Sequence, residues 1–418
     1  MVLSRFIYYI STRAYFLGIR IAALWNRKAR RWVALRRNWK SEAQKWSAGN
    51  QGNKVVWMHC SSLGEFEQGK PVLDAVKKQY PHLKTVVTFF SPSGYDVLAV
   101  KDHGYDWVTC LPSDSRANAR KFIELLQPSL VLWVKYEFWF HFLNTLCEKK
   151  IPAILFSAVF RNGQPFFKWY GQLWLKMLNC FTQIFVRDED SAQAIGEKNI
   201  RHVQVCGDTR FDRVADILAK FEAVPGIPEF CKDDPTVVAG STWEEDEEEL
   251  VHFVQSNPRM RFIIAPHEID ELHLRDIERL FKRTVRYSKL SAHTHSENNV
   301  LIIDNIGMLS RLYNYATVAY VGGGFGHDGV HNILEPAVYG RPVVFGPVYE
   351  KYREAAELIE AGGAFSIENA LELEKTMDTL LAKHTDYINA CDAARKYVMD
   401  NSGAVVRVTE FIKGNLKI

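Results

Sequence analysis

The chain has 418 residues, of which 47% are hydrophobic and 24% charged, with a net charge of +3. That balance excludes a disordered or fibrous chain, and so small a net charge gives no footing for a nucleic-acid partner. Seven scattered cysteines without a CxxC pair argue for reduced thiols and against a disulfide framework or a zinc site. The length exceeds what one core usually serves, so two domains are expected.

Residues 1–46 come first and hold most of the charge asymmetry. Eleven basic residues up to Lys45 face the single acid Glu42. The opening run "RFIYYISTRAYFLGIRIAALW" is apolar, but Arg13 and Arg20 interrupt it and share one helical face. A spanning helix needs about 20 mostly apolar residues, and neither arginine belongs at its centre. The segment therefore reads as a basic amphipathic helix laid on an anionic membrane surface, its arginines reaching the headgroup layer. Packing on the protein body is the alternative. The broken apolar run argues against a cleaved signal peptide.

From Lys54, short β-rich runs alternate with helical patterns. The first set is KVVWMHC, KTVVTFF, YDWVTCLP, SLVLWV, PAILFSAV, TQIFVRD and HVQVCG; the second is TVVAGS, RFIIAP, VLIID, VAYVGG and RPVVFGP. Such alternation predicts parallel sheets covered on both faces, in an α/β chain of two Rossmann-like doubly wound domains. Their spans are 47–222 and 230–395, and a helix over 396–418 is expected to pack back on the first. The stretch "ADILAKFEAVPGIPEFCKDDP", with three prolines and a glycine, reads as the linker.

In doubly wound sheets ligands sit beyond the carboxyl ends of the strands, so chemistry is sought in those turns. Glu65 follows "HCSSLG" at a helix start, where an acid suits the dipole or serves as a general base. Glu137 lies past an apolar strand among aromatics, in company where a carboxylate needs a partner or stays protonated. Arg210 stands between Asp208 and Asp212, either as a local ion pair or as a cation aimed at a phosphate. "GSTWEEDEEEL" reads as a capping box from Ser241 to Glu244, and Asp188 as an N-cap. His267 follows Pro266 without metal-ligand spacing. Gly324, Gly326 and Gly329 fit G-x-G-x-x-G, but several strands precede them, which speaks against a dinucleotide fingerprint. Glycines followed by Asn332 and Glu335 instead suggest a nucleotide-sugar pocket, with Glu335 accepting from ribose hydroxyls.

The ordered set His59 to Glu65 (H-x-x-S-x-G-E), "YEFW" with Glu137, "GDTRFDRV", "GSTWEEDE", "APHE" and "GGGFG…GVHNILEPAVYGRPVVFGP" is similar to the 3-deoxy-D-manno-octulosonic acid (Kdo) transferases of lipopolysaccharide biosynthesis. The resemblance implies a glycosyltransferase of the B-type fold, with an acceptor domain first and a CMP-Kdo donor domain second. It implies an inverting, metal-independent reaction without a cofactor, on a lipid A precursor (lipid IVA), at the cytoplasmic side of the cell inner membrane. Glu65 would be the general base, with Glu137 and Arg210 assisting the transition state. Pro266, His267, Ile306, Gly307, Met308, Asn332, Ile333, Leu334 and Glu335 would bind CMP. Two motifs depart from the family: "SAVFRNGQ" keeps only Arg161 of an asparagine-alanine-arginine sequence, and "YEFWFHF" lacks a proline-asparagine. A B-type transferase or epimerase acting on another nucleotide sugar is the alternative.

Overall fold

The computed structural model describes residues 2–99, 104–291 and 297–416. The chain forms two compact units, one built from residues up to Arg213 with the return from Gly403, the other from Val214–Ser402. Each holds a seven-stranded parallel sheet.

The first sheet comprises β1 (Val55–Cys60), β2 (Lys84–Phe89), β3 (Trp107–Cys110), β4 (Pro128–Val134), β5 (Ala153–Ala158), β6 (Gln183–Val186) and β7 (Val203–Val205), in the order β3-β2-β1-β4-β5-β6-β7. β1 reads VVWMHC and is buried throughout. A strand covered on both faces needs a continuous apolar run, because successive side chains serve opposite layers. Val55 and Trp57 accordingly join one core with Trp133 and Phe142, and Val56 and Met58 another with Leu132 and Phe156. Winding reverses between β1 and β4, so the loops leaving their carboxyl ends diverge and open a crevice there.

The basic N-terminal segment is three helices: α1 (Val2–Ala22), α2 (Arg27–Leu35) and α3 (Trp39–Gly49). Trp39 and Ala43 reach the first core. α1 docks along one face. Its Tyr8 hydroxyl donates to Asp114 at 2.7 Å and accepts from the Phe140 amide at 3.0 Å, and Phe16 stacks on Trp32 and Trp139. The other face leaves Phe6, Ile7, Ile10, Leu17 and Ile21 exposed at helical spacing. Among the described residues, no helix is long and apolar enough to cross a membrane.

The last helix, Ala404–Asn415, packs against α4 (Leu63–Gln79) and adds Val408 and Ile412 to the second core layer. Asp212 caps its start by accepting from the Gly403 and Ala404 amides.

The second sheet comprises β8 (Thr236–Thr242), β9 (Arg261–Pro266), β10 (Thr284–Arg286), β11 (Val300–Ile302), β12 (Val318–Val321), β13 (Val343–Phe345) and β14 (Ala364–Ser366), in the order β10-β11-β9-β8-β12-β13-β14. Its winding reverses between β8 and β12. β10 and β14 lie outside the strand runs read from the sequence; each is a three-residue edge strand, TVR or AFS, that mixes polar with apolar residues. The segment read as a linker is built into this unit: Val224, Ile227 and Phe230 are fully buried. Pro228 stands in the first turn of the short helix Ile227–Cys231, where its missing amide donor costs little.

Candidate active site

In the first unit, the crevice between β1 and β4 gathers carboxylates. Ser62 is the N-cap of α4 and its hydroxyl accepts from the Glu65 amide at 3.4 Å. Glu65 reaches back to accept from the Ser61 amide at 2.5 Å, so the side chain is fixed by the turn that carries it. It is both a helix-start acid and a buried one. Burial pushes its carboxyl above the usual range, Glu137 adds to the rise, and the Ser61 contact opposes it.

Glu137 sits in the loop after β4, where its main-chain carbonyl accepts from the Trp133 indole. Its Oε2 lies 3.8 Å from His59 Nε2, beyond hydrogen-bond reach. Both atoms are buried and lack a hydrogen-bond partner. On the other side of the ring, His59 Nδ1 is 2.9 Å from Thr88 Oγ1, which already accepts from the Trp57 indole at 2.8 Å. The Thr88 hydroxyl also donates to the Met58 carbonyl at 3.4 Å, so the direction of its contact with Nδ1 depends on the tautomer of the ring. An unmade contact of this kind is where an incoming polar group binds.

Arg210 stands beyond β7 and is held by Asp208, which accepts from its amide at 3.0 Å, from Nε at 3.0 Å and from Nη2 at 2.9 Å. Burial pushes the Asp208 carboxyl up, but the guanidinium and the Lys135 ammonium outweigh it and hold the group below its usual range. The ion-pair reading of Arg210 is met, and the pair fixes a guanidinium at the strand ends. Asp212 is elsewhere, capping the last helix. Lys135, which sequence reasoning missed, lies directly after β4 with a left-handed φ of 57°. Burial lowers its pKa, and it shares a field with Asp208, Arg210 and Glu65. Its only sequence signal is a charge immediately past an apolar strand. Arg161 is exposed.

In the second unit, Pro266 ends β9 and His267 follows it, exposed. His267 stacks on His331, with ring centres 4.4 Å apart, and on Trp243 at 4.6 Å. The Trp243 indole donates to His331 Nε2 at 3.1 Å. Burial, with His267 adding to it, drops the His331 pKa to about 4, so the ring is a neutral acceptor. Trp243 and His331 were missed: one was absorbed into helix chemistry, the other stood unweighed beside Asn332.

The expected Ser241–Glu244 capping box is not formed. Ser241 has a left-handed φ of 55° at an irregularity in β8, which delays the helix to Glu244. Asp246 takes the reciprocal role, accepting from the Trp243 amide at 3.0 Å. Asp246 also accepts from the Gly323 amide and the Tyr320 hydroxyl, both at 2.8 Å. This acid thus braces the glycine loop from beneath.

The glycines serve backbone packing. A Cβ on Gly322 would stand 2.4 Å from the Ser241 carbonyl oxygen, and one on Gly324 2.5 Å from the Gly346 amide. Asn332 is exposed, donates to Glu335 Oε1 at 3.0 Å and accepts from the Leu334 amide at 3.2 Å. Ile333 and Leu334 are buried. After β11, Ile306 is 93% exposed, Gly307 turns at φ 101°, and Met308 is buried.

The chain was also compared with known proteins. Residues 34–213 match the family described as 3-Deoxy-D-manno-octulosonic-acid transferase (kdotransferase), and residues 125–310 match that of polysaccharide pyruvyl transferase. A 3-deoxy-D-manno-octulosonic acid transferase of Aquifex aeolicus is 28% identical over 335 residues, covering 78% of this chain and 86% of the relative. One from Haemophilus influenzae is 22% identical over 377 residues, covering 87% of each. In fold, the chain is similar to UDP-GlcNAc 2-epimerase from Neisseria meningitidis, with a TM-score of 0.63, 18% identity and coverage of 87% of this chain and 100% of that one. The first of these matches ends at Arg213, where the unit bearing Glu65, Glu137 and Arg210 gives way to the second. The chain is thus a relative of the 3-deoxy-D-manno-octulosonic acid transferases.

Proposed function

We propose that the chain is an inverting glycosyltransferase that moves Kdo from CMP-Kdo to a lipid A precursor in lipopolysaccharide biosynthesis, with no resident metal or cofactor. The observation that carries the reading is the convergence of Glu65 and Glu137 on the crevice between β1 and β4, in a chain whose relatives bear this activity in their names. The acceptor hydroxyl attacks the anomeric carbon of Kdo, and the bond from that carbon to the CMP phosphate oxygen breaks. The hydroxyl proton passes to the Glu65 carboxylate, whose raised pKa brings it closer to the working pH. Glu137 supplies fixed negative charge for an oxocarbenium-like centre, and Arg210, held by Asp208, supplies positive charge for the departing phosphate. Pro266, His267, Ile306, Gly307, Met308 and the Asn332–Glu335 turn are assigned to CMP, with Trp243 and His331 added.

The reading places the protein at the cytoplasmic side of the cell inner membrane. The exposed apolar stripe of α1, bordered by Arg13 and Arg20, supports a helix lying on the bilayer.

The experiment is transfer in vitro, with CMP-Kdo generated in place and a tetraacylated lipid A precursor in detergent with EDTA, read by mass spectrometry. A gain of one or more Kdo units is the expected result. No gain with CMP released to water would overturn the acceptor and keep the donor. Binding of UDP in place of CMP would turn the reading to another nucleotide sugar.

A further inference from the structure

Behind the stacked rings of the second unit, three side chains form a continuous polar chain. The Thr242 hydroxyl, at the end of β8, donates to Glu247 Oε1 at 2.8 Å. Glu247 Oε2 lies 3.0 Å from His273 Nε2, and His273 Nδ1 lies 3.1 Å from the main-chain carbonyl oxygen of Glu268. Thr242 is fully buried, Glu247 is 2% exposed and His273 7%. Glu247 belongs to the helix Glu244–Ser256 that follows β8, and His273 to the helix Glu271–Leu280 that follows β9. β8 and β9 are neighbours in the sheet, so the polar chain bridges the turns that leave two adjacent strands.

The partners fix where hydrogen stands. A carbonyl oxygen only accepts, so Nδ1 donates to Glu268, and the contact between Nε2 and the carboxylate holds one further proton. Burying such a pair carries a desolvation cost that apolar side chains of similar volume avoid. What the polar pair adds is direction, because each bond is satisfied in one orientation only. The positions so fixed are those of the rings. Trp243 directly follows Thr242, and His267 directly precedes Glu268. The His267 amide also donates to the Thr242 carbonyl at 2.9 Å. The His267 side chain is exposed, so its place against Trp243 and His331 is set through the turn that carries it.

We propose that Glu247 and His273 are positioning residues for the nucleotide, locking the turns after β8 and β9 in register so that Trp243 and His267 stand stacked before a ligand arrives. They act through those turns and not by contact with the ligand. The inference rests on the assignment of the ring stack to the donor nucleotide.

The test is equilibrium binding of CMP, and separately of UDP, to the full chain by titration calorimetry, with a melting curve for each variant. Thr242→Val/Glu247→Leu/His273→Leu replaces the polar chain by apolar groups, a change expected to leave the melting temperature at or above that of the parent. It is expected to weaken nucleotide binding by about tenfold or more. Glu247→Gln should bind within about twofold of the parent, because its amide accepts from Thr242 and donates to Nε2 of a neutral ring, keeping all three bonds. His273→Gln keeps a donor toward Glu247 but loses the bond to Glu268, and should weaken binding severalfold; it decides the matter if the triple variant does not fold. In turnover, a positioning role raises KM for the sugar donor and leaves kcat near the parent value. A folded triple variant that binds as tightly as the parent overturns the proposal, and so does a His273→Gln variant that does. A loss in Glu247→Gln as large as in the triple variant also overturns it, since charge and not position would then matter. A parent that binds UDP and not CMP defeats the CMP reading alone, because the same comparison on UDP still judges the pair. A parent that binds neither defeats both.

Discussion

The two sheets share strand number, parallel sense and a single reversal of winding, yet their crevices are furnished in opposite ways. Between β1 and β4 the turns carry ionisable groups held by the scaffold: Glu65 by its own helix turn, Arg210 by Asp208, and the His59–Glu137 pair with its contact unmade. Between β8 and β12 the turns carry glycines in backbone contact and three stacked rings, and the acid bonded to the glycine loop, Asp246 of the helix Glu244–Ser256, is consumed by structure. Topology sets where a ligand sits in either unit. The residues at the strand ends decide whether the place suits proton transfer or the holding of a flat, neutral group.

The sharpest way to break this contrast is Glu65→Gln. Removing the base is expected to lower kcat/KM on the order of a thousandfold, measured on protein with an unchanged circular dichroism spectrum. Burial raises the Glu65 pKa, so the folded state prefers the protonated form, and the stability that form gives is lost as pH rises through the carboxylate range. The variant should therefore melt at or above the parent temperature at neutral pH. A parent-like rate would remove proton transfer from the first crevice.

Gly322→Ala probes the second crevice at its backbone. The added methyl meets the Ser241 carbonyl oxygen and, at 2.7 Å, the Thr242 Cα, neither of which can swing aside. Urea unfolding should show a loss of about 1–3 kcal/mol. An unchanged midpoint would mean that the loop gives way and that its glycine serves some other end.

A smaller effect is expected at His59. His59→Asn keeps a polar atom near Thr88 and removes the ring nitrogen that faces Glu137. A positioning role predicts a fall in kcat of about tenfold with KM little changed. It also predicts a displaced acid limb of the pH–rate profile. A drop in melting temperature with both kinetic features unmoved would make His59 purely structural.

The smallest effect sharpens the account of the ring stack. The His331 pKa, lowered by burial to about 4, lies below that of an unfolded histidine. The unfolded chain therefore binds the extra proton first, and this group's contribution to stability is lost as pH falls from about 6.5. His331→Phe should flatten that part of a melting-temperature profile, and an unchanged slope would locate the titration elsewhere.

Much of the architecture was legible in the residues. A continuous apolar run such as VVWMHC marks a strand covered on both faces, and twelve of the strands lie in β-rich runs read from the sequence, the edge strands β3 and β7 being only partly buried. β10 and β14 do not, because these edge strands, TVR and AFS, mix polar with apolar residues. Asp188 was readable as an N-cap since the cap is a local bond to Ser191. The Ser241 box misled because a left-handed residue in β8 shifted the helix start, and neither neighbour announces such a turn. Glu65, Glu137 and Arg210 stood out only as members of an ordered motif set; taken singly, each had a structural reading, and for Glu65 and Arg210 those readings also hold.

The sequence by itself determined what depends on near neighbours: hydrophobic period, caps, charge runs and the strand-to-turn positions where functional groups can stand. Only the tertiary structure decided what depends on burial and on meetings across the chain. The Trp243–His331 bond, the clasp of Asp208 and Lys135 in one field, and the unpartnered Trp32 indole are of that kind. Local pattern sets which atoms a segment offers, whereas packing sets which of them lose water and what they then face, and that loss of water governs pKa and binding.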